Sequence, residues 1–318
     1  NILILSAGRR VELCEAFLEQ INLKGYDVKL FTTDFNPHYS AACQKIKNFF
    51  TTPHVNDPSY IDFLLEKSNK HNIRMILPTI DSELLTLSKN IDLFKSHKIS
   101  IIISNQEFIK ICSDKRLTAT FFNNLNLQTP KIYKKNELMF PCFAKPYSGS
   151  SSIGCLKIDK KDDLSNSVFN NDDIIFTEYI GGDFKEYTID MYYDRNSILK
   201  CLIPRERIEV RAGEVSKGVT RKNYLYDFLF LNFKSLPGAR GCITLQLFYN
   251  FKASEIYFIE INPRFGGGFP LSYSAGANFP GWLIDEYLFN REINFFDKWK
   301  TNLLMLRYDS KVLRSSIV

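Results

Sequence analysis

The stretch Ile256 to Gly268 carries an apolar strand that ends in Glu260, Asn262 and Arg264 and runs straight into Gly266-Gly-Gly268. Alternate residues of a strand share a face, so these three polar groups project together, while Ile259 and Ile261 are expected to face a core. A carboxylate, an amide oxygen and a guanidinium on one face make a ledge for a metal ion and phosphate. Hard cations such as Mg²⁺ take oxygen ligands and keep nucleotide phosphates as partners. Gln246 lies fourteen residues before Glu260 in a second apolar strand and is placed to add a further oxygen.

Lys145 closes another strand and is followed by the small-residue run Tyr147 to Gly154, which holds Ser150, Ser151 and Ser152. A point charge beside backbone N–H groups that can fold over an anion is a phosphate clamp in outline, although such a hairpin alone is more often a plain turn. No Walker sequence is present, because the run joins two strands and does not open a helix. The strand ending at Glu178-Tyr179-Ile180 turns at Gly181-Gly182, which exposes backbone groups able to read an adenine edge. Glu186, eight residues after Glu178, is placed to accept hydrogen bonds from ribose hydroxyls. An ordinary hairpin with exposed acids fits the same residues.

Further along, Pro204 to Gly218 carries Arg205, Arg207, Arg211 and Lys217. Arginines two apart on extended backbone share a face, so Arg205 and Arg207 either fork onto a carboxylate or acyl phosphate, or form a solvated ladder with Glu206 and Glu209. Arg211 and Lys217 are weaker candidates of the same kind.

These groups need elements to position them. The first hundred residues alternate strand and helix: 2–6, a helix from Arg9 to Leu23, 27–32, a helix and strand near 46–51, a helix from Asp57 to Asn69, 75–77, a helix after Asp81, and 99–103. That order predicts a parallel, doubly wound sheet whose Ser6–Arg10 and Pro78–Glu83 turns lie at strand C-termini, where such sheets bind ligands. The first turn lacks G-x-G-x-x-G, and Asp34 fits an Asx turn as well as a ribose contact. A helix from Ser113 to Leu125 follows. From Thr129 the pattern changes to strands joined by turns, with a helix over 161–169, an irregular charged stretch up to Lys222, a helix over 224–233 and a last helix near 281–289.

The succession Asp114-Lys115, Lys145-Pro146 with its Gly/Ser hairpin, Glu178-Tyr-Ile180 with Glu186, Gln246, and Glu260-Ile-Asn262-Pro-Arg264 resembles the ATP-grasp superfamily, in particular carbamoyl-phosphate synthase large-subunit-like proteins. The resemblance implies an α/β and α+β chain: a Rossmann-like pre-ATP-grasp domain (1–110), then a two-lobed ATP-grasp domain with a small lid (111–180) and a C-terminal subdomain (181–318). It also implies that Lys115 and Lys145 contact ATP phosphates, that Glu178, Tyr179 and Ile180 line adenine, and that Glu186 holds ribose. Gln246, Glu260 and Asn262 would bind Mg²⁺, or Mn²⁺ in its place, and Arg264 would steady the transferring phosphoryl group. Many family members have an acid where this chain has Gln246, whereas the carbamoyl-phosphate-synthase type has glutamine. The implied activity is ATP-dependent joining of a carboxylate to an amine or ammonia through an acyl phosphate. A carbamoyl-phosphate-synthetase-like reaction on bicarbonate or carbamate, and a non-catalytic ATP-binding module, are the alternatives.

Composition narrows the setting. The 318 residues are 45% hydrophobic and 24% charged, an ordinary globular balance with room for more than one domain. The net charge of +6 is dispersed among acids, which argues against a nucleic-acid stripe and suits anionic small substrates. Seven scattered cysteines without a C-x-x-C pair suggest reduced thiols and a cytoplasmic setting, and the four isolated histidines show no metal spacing. No apolar run approaches membrane-spanning length. A homodimer is left open by the resemblance.

Overall fold

The computed structural model describes residues 1–149, 154–211 and 213–315. Strands β1 (Ile2–Ile4), β2 (Leu30–Asp34), β3 (Phe49–Thr51), β4 (Met75–Leu77) and β5 (Ser100–Ile101) form a parallel sheet in the order β3-β2-β1-β4-β5. Strand order reverses beside β1, so the crevice between the ends of β1 and β4 is the topological switch point of the sheet. Successive residues of β1 bury on opposite faces: Ile2 and Ile4 join one hydrophobic core, Leu3 and Leu5 the other. Both faces are covered by α1 (Val11–Leu23), α2 (Ala41–Ile46), α3 (Tyr60–Lys70), α4 (Asp81–Ser88) and α5 (Ile91–Ser96), as a parallel sheet requires.

Two helices lead out of this domain, α6 (Gln106–Ser113) and α7 (Lys115–Asn124). Only the second is anticipated from sequence; Asp114 caps it by accepting from the Arg116 N–H at 2.8 Å and separates the pair. A four-stranded antiparallel lid follows in the order β6-β9-β7-β8, built from β6 (Ile132–Tyr133), β7 (Cys142–Pro146), β8 (Leu156–Ile158) and β9 (Ile174–Glu178). The helix expected over 161–169 is broken into a 3₁₀ turn at Lys161–Asp163 and the short α8 (Asn166–Phe169), because the Ser165 hydroxyl caps a new start by accepting from the Val168 N–H at 3.4 Å.

The remaining strands, β10 (Lys185–Tyr193), β11 (Leu199–Arg211), β12 (Glu214–Thr220), β13 (Gly241–Asn250), β14 (Glu255–Asn262) and β15 (Leu304–Leu306), pair antiparallel in the order β14-β13-β10-β11-β12-β15. Helices α9 (Tyr224–Asn232), α10 (Phe269–Ser274) and α11 (Phe279–Phe289) complete this lobe. The stretch up to Lys222 is therefore regular where irregularity was expected: it is the β11–β12 hairpin, with bulges between Arg207 and Val210. Its charges alternate with the strand period instead of disrupting it. A single hydrophobic cluster runs from Ile2 and Phe17 to Phe258, Phe265 and Leu283, so the first domain and the last lobe share a core. The lid has its own small core of Cys142, Ala144, Ile158 and Phe176.

Candidate active site

A cleft of about 680 Å³ lies between lid and C-terminal lobe, within the range usual for small-molecule sites. Lys115 at the start of α7 and Lys145 on β7 enter it from the lid side. Lys115 donates from Nζ to the Gly149 carbonyl at 2.8 Å. Lys145 is only 8% exposed, and its Nζ has no hydrogen-bond or ion-pair partner among the described residues. Burial pushes its pKa down, the Lys115 charge adds to that, and Glu260 opposes it. A desolvated cation held beside a second cation is arranged for a multiply charged anion. Ser150, Ser151 and Ser152 lie outside the described residues.

The opposite wall comes from the central strands. Register places Gln246 against Glu260, and Thr244 against Asn262. Asn262 donates from Nδ2 to Glu260 Oε1 at 3.0 Å, and Gln246 donates from Nε2 to Glu186. Burial raises the Glu186 pKa, which the Arg207 charge and the Gln246 bond pull back. Among the described residues no three His, Cys, Asp or Glu side chains cluster as a metal cage. The donor set of a few carboxylate and amide oxygens suits a hard cation that takes its remaining ligands from water and phosphate.

One expectation on this wall fails. Ile259 lines the cleft and does not face the core, because the ladder shifts between Gln246 and Leu247: Leu247 pairs with Phe258 and Gln246 with Glu260, which leaves Ile259 as the extra residue of a β-bulge. Ile261 is buried as expected. With Phe248, Phe143, Pro130 and Ile180, Ile259 supplies the apolar part of the cleft beside Glu178 and Tyr179. Glu178 accepts from the Lys131 N–H at 3.3 Å.

The arginines behave differently from one another. Arg205 is 1% exposed and forks onto Asp190 at 2.8 Å from Nε and 3.1 Å from Nη2. Asp190 also accepts from Ser272 Oγ at 2.6 Å and from Thr244 Oγ1 at 3.4 Å. The third edge of Arg205 meets Gly268, where a Cβ would stand 2.1 Å from Nη1, so only glycine fits there. Arg207 lies 3.3 Å from Glu186 and donates from Nη1 to Thr188 Oγ1 at 3.4 Å. Neither joins a ladder with Glu206 or Glu209: Glu206 pairs with Lys185 and Arg221, and Glu209 with Lys217. Both arginines line the cleft. Lys217 does not; it is half exposed and bonded to Glu209 at 2.7 Å. Arg211 pairs with Asp309 on the surface.

Arg264 reaches out of the C-terminal lobe to Asp81 at the start of α4, with Nε 2.9 Å from Oδ1, and its Nη1 donates to the Phe265 carbonyl at 3.2 Å. The ledge is thereby tied to the switch-point end of the first domain. The sequence reading missed Asp190 and Glu214, both near this cleft, and placed Arg10 in a ligand-binding turn without giving it a role. For Asp190 the signal is a lone carboxylate within the apolar strand Tyr187–Tyr193, which must be paired when buried.

Comparison with known proteins agrees with this architecture. The family profile described as "PylC-like, N-terminal domain" matches residues 2–102, and that described as "ATP-grasp domain" matches residues 112–268. D-alanine–D-alanine ligase B of Clostridium perfringens is 31% identical over 87 residues, covering 23% of this chain and 29% of that enzyme, so the chain spans less than a third of that relative. The biotin carboxylase domain of Hydrogenobacter thermophilus 2-oxoglutarate carboxylase, solved as a dimer with MgADP, ADP and bicarbonate, superposes with a TM-score of 0.73 at 15% identity, over 95% of this chain and 73% of that one. The L-amino acid ligase of Bacillus licheniformis gives 0.67 at 16% identity, over 91% and 74%. The chain belongs to the ATP-grasp superfamily, with a PylC-like domain ahead of its ATP-grasp domain.

Proposed function

We propose that the chain is an ATP-dependent ligase that joins a carboxylate to an amine or ammonia through an acyl phosphate. The observation that carries this reading is the opposition of Lys115 and Lys145 to Glu260, Asn262 and Gln246 across one cleft, with an apolar recess alongside. In this reading residues 1–110 are the pre-ATP-grasp domain, 111–180 the lid and 181–318 the C-terminal subdomain. The base lies in the recess formed by Ile180, Phe143 and Ile259, with the backbone at Glu178–Ile180 reading its edge. Lys115 and Lys145 hold the phosphates. Glu186 serves the ribose, although its bond from Gln246 and its approach to Arg207 also bring it toward the metal-binding wall.

Glu260, Asn262 and Gln246 would hold Mg²⁺, whose contribution is neutralising phosphate charge. Phosphoryl transfer asks the protein mainly for alignment and charge compensation. A substrate carboxylate oxygen forms a bond to the γ-phosphorus as the bond to the β-bridging oxygen breaks, which yields acyl phosphate and ADP. A neutral amine then adds to the acyl carbon, phosphate leaves with the C–O electron pair, and the nitrogen loses a proton to solvent. Arg205 and Arg207 face the developing charge. Lys217 has no part in this reading, since it lies outside the cleft lining and its ammonium is paired with Glu209. Gln246 favours a second reading, turnover of bicarbonate or carbamate as in the carbamoyl-phosphate-synthase type.

Among the described residues no helix is long and apolar enough to cross a membrane. A homodimer, the state of the biotin carboxylase domain above, belongs to the same proposal.

The test is release of ADP by purified protein with MgATP, an acid panel including bicarbonate, and hydroxylamine to trap acyl phosphate as hydroxamate. Trapped product is expected with an organic acid, and Glu260→Gln should lower its rate about 10³-fold with the melting temperature retained. Stimulation by bicarbonate alone moves the assignment to the second reading. No stimulation by any acid overturns both.

A further inference from the structure

We propose that the acyl donor is a small monocarboxylic acid with an apolar body, bound in a second cavity at the β1/β4 switch point with its carboxylate on Arg10. This rests on the ligase reading above. The cavity, of about 200 Å³, opens beside the cleft and shares with it Arg10, Glu214, Gly266 and Gly267. Its floor is the Ser6–Arg10 loop at the end of β1, and Ile80 beyond β4 closes one side. Open α/β sheets bind ligands in this crevice.

Charge decides what fits. Arg307 spends its guanidinium on Glu214 at 3.2 Å and Glu12 at 3.0 Å, and Arg9 stands 3.9 Å from Glu214. Arg264 and Arg205 nearby are forked onto Asp81 and Asp190. Arg10, partly buried, lines both cavities, and its guanidinium has no hydrogen-bond or ion-pair partner among the described residues. Three arginines against two glutamates leave one surplus positive charge, which one carboxylate neutralises. An unpaired guanidinium presented to a cavity is the standard receptor for that group. Its position at the junction puts a bound carboxylate beside the phosphate end of the cleft.

Size and lining settle the rest. At about 200 Å³ against about 680 Å³ for the neighbouring cleft, the cavity is sized for a small acid and not for a nucleotide-sized one. Leu13, Ile80, Phe269 and Pro270 give it apolar walls. The loop beneath holds Ser6 in a costly conformation, with φ of 46°, beside Gly8 at 47°, where glycine is at ease; Gly8 N–H donates to Asp34 at 3.1 Å and Ser6 Oγ to Glu83 at 2.5 Å. Non-glycine residues at positive φ persist where surrounding structure enforces them, as at ligand sites.

The experiment measures binding of 3-methylbutanoate, butanoate, succinate and bicarbonate to the full chain in the presence of MgADP by ligand-observed NMR, with MgADP affinity measured by calorimetry. Expected are binding of the two monocarboxylates in preference to succinate and bicarbonate, at least tenfold weakening by Arg10→Met, and at least tenfold weakening by Ile80→Trp at unchanged MgADP affinity and melting temperature. If both variants bind the acids as wild type does, the cavity is misassigned while the ligase reading stands. If wild type binds MgADP but neither monocarboxylate, the substrate class is wrong. Failure to bind MgADP overturns the proposed function itself.

Discussion

Asp190→Asn should cost more than any other single isosteric change in the C-terminal lobe. The carboxylate is fully buried and accepts both Arg205 bonds, at 2.8 and 3.1 Å, and the Ser272 bond at 2.6 Å. An amide in its place turns an NH₂ toward a guanidinium that is 1% exposed and leaves the cation without a counter-charge. Breaking one side of a buried pair costs about 3–5 kcal/mol. With a urea slope of about 2 kcal/mol per M, the unfolding midpoint falls by about 1.5–2.5 M. Replacing both partners with apolar residues, as in Asp190→Leu with Arg205→Met, removes the unpaired charge and should return stability to within about 1–2 kcal/mol of wild type. That double variant folds yet lacks the guanidinium against Gly268, so its hydroxamate formation stays low. Urea titration followed by circular dichroism, with the trapping assay alongside, checks both halves. A midpoint unmoved by Asp190→Asn, or a double variant as unstable as the two single changes added together, would refute the argument that the pair is held only by mutual neutralisation.

Other outcomes follow from the same geometry. Lys145→Ala should raise the ATP concentration required for half-maximal ADP release at least tenfold without lowering the melting temperature, since it removes a desolvated charge that has no partner among the described residues; steady-state kinetics reads this directly. Glu83 is buried between Ser6 and Tyr60, and burial raises its pKa from 4.5 to about 7. A carboxyl so raised adds stability below its unfolded value that disappears as pH climbs through the folded one. Unfolding curves at pH 4.5 and 8 should therefore differ by about 3 kcal/mol through this group, and Glu83→Gln should remove that part of the difference. Lys217→Ala should leave turnover within twofold, since its ammonium is bound to Glu209 outside the cleft; a larger drop in the trapping assay would return it to the site.

Much of this architecture is legible because periodicity survives folding. The repeated strand–helix order of the first domain and the span Met75–Leu77 come directly from apolar runs, and Glu260 and Asn262 share a wall as alternation predicts. Alternation fails where a bulge intervenes: counting back from Ile261 puts Ile259 in the core, and only the ladder register reveals otherwise. The β11–β12 hairpin was obscured because its charged residues look like a loop, although Arg205 and Arg207 find buried or half-buried partners on β10. Long-range pairings were the least visible. Nothing local in Asp81 announces Arg264, 183 positions away, and that Arg10 has no partner among the described residues emerges only once Glu12, Glu214 and Asp81 are seen committed to other guanidiniums.

The inserted residue at Ile259 has a further consequence. Up to Phe258 the strand obeys one in–out phase; from Glu260 it obeys the other. Ile261 then packs inward while Glu260 and Asn262 look into the cleft. Were Ile259 drawn into the ladder as an ordinary paired residue, a single phase would run through the strand and everything downstream would invert, sending the carboxylate inward and an aliphatic chain out. Omission of residue 259 would instead join Phe258 directly to Glu260 in one regular ladder, keeping the polar ledge toward the cleft and removing only one apolar group from its wall.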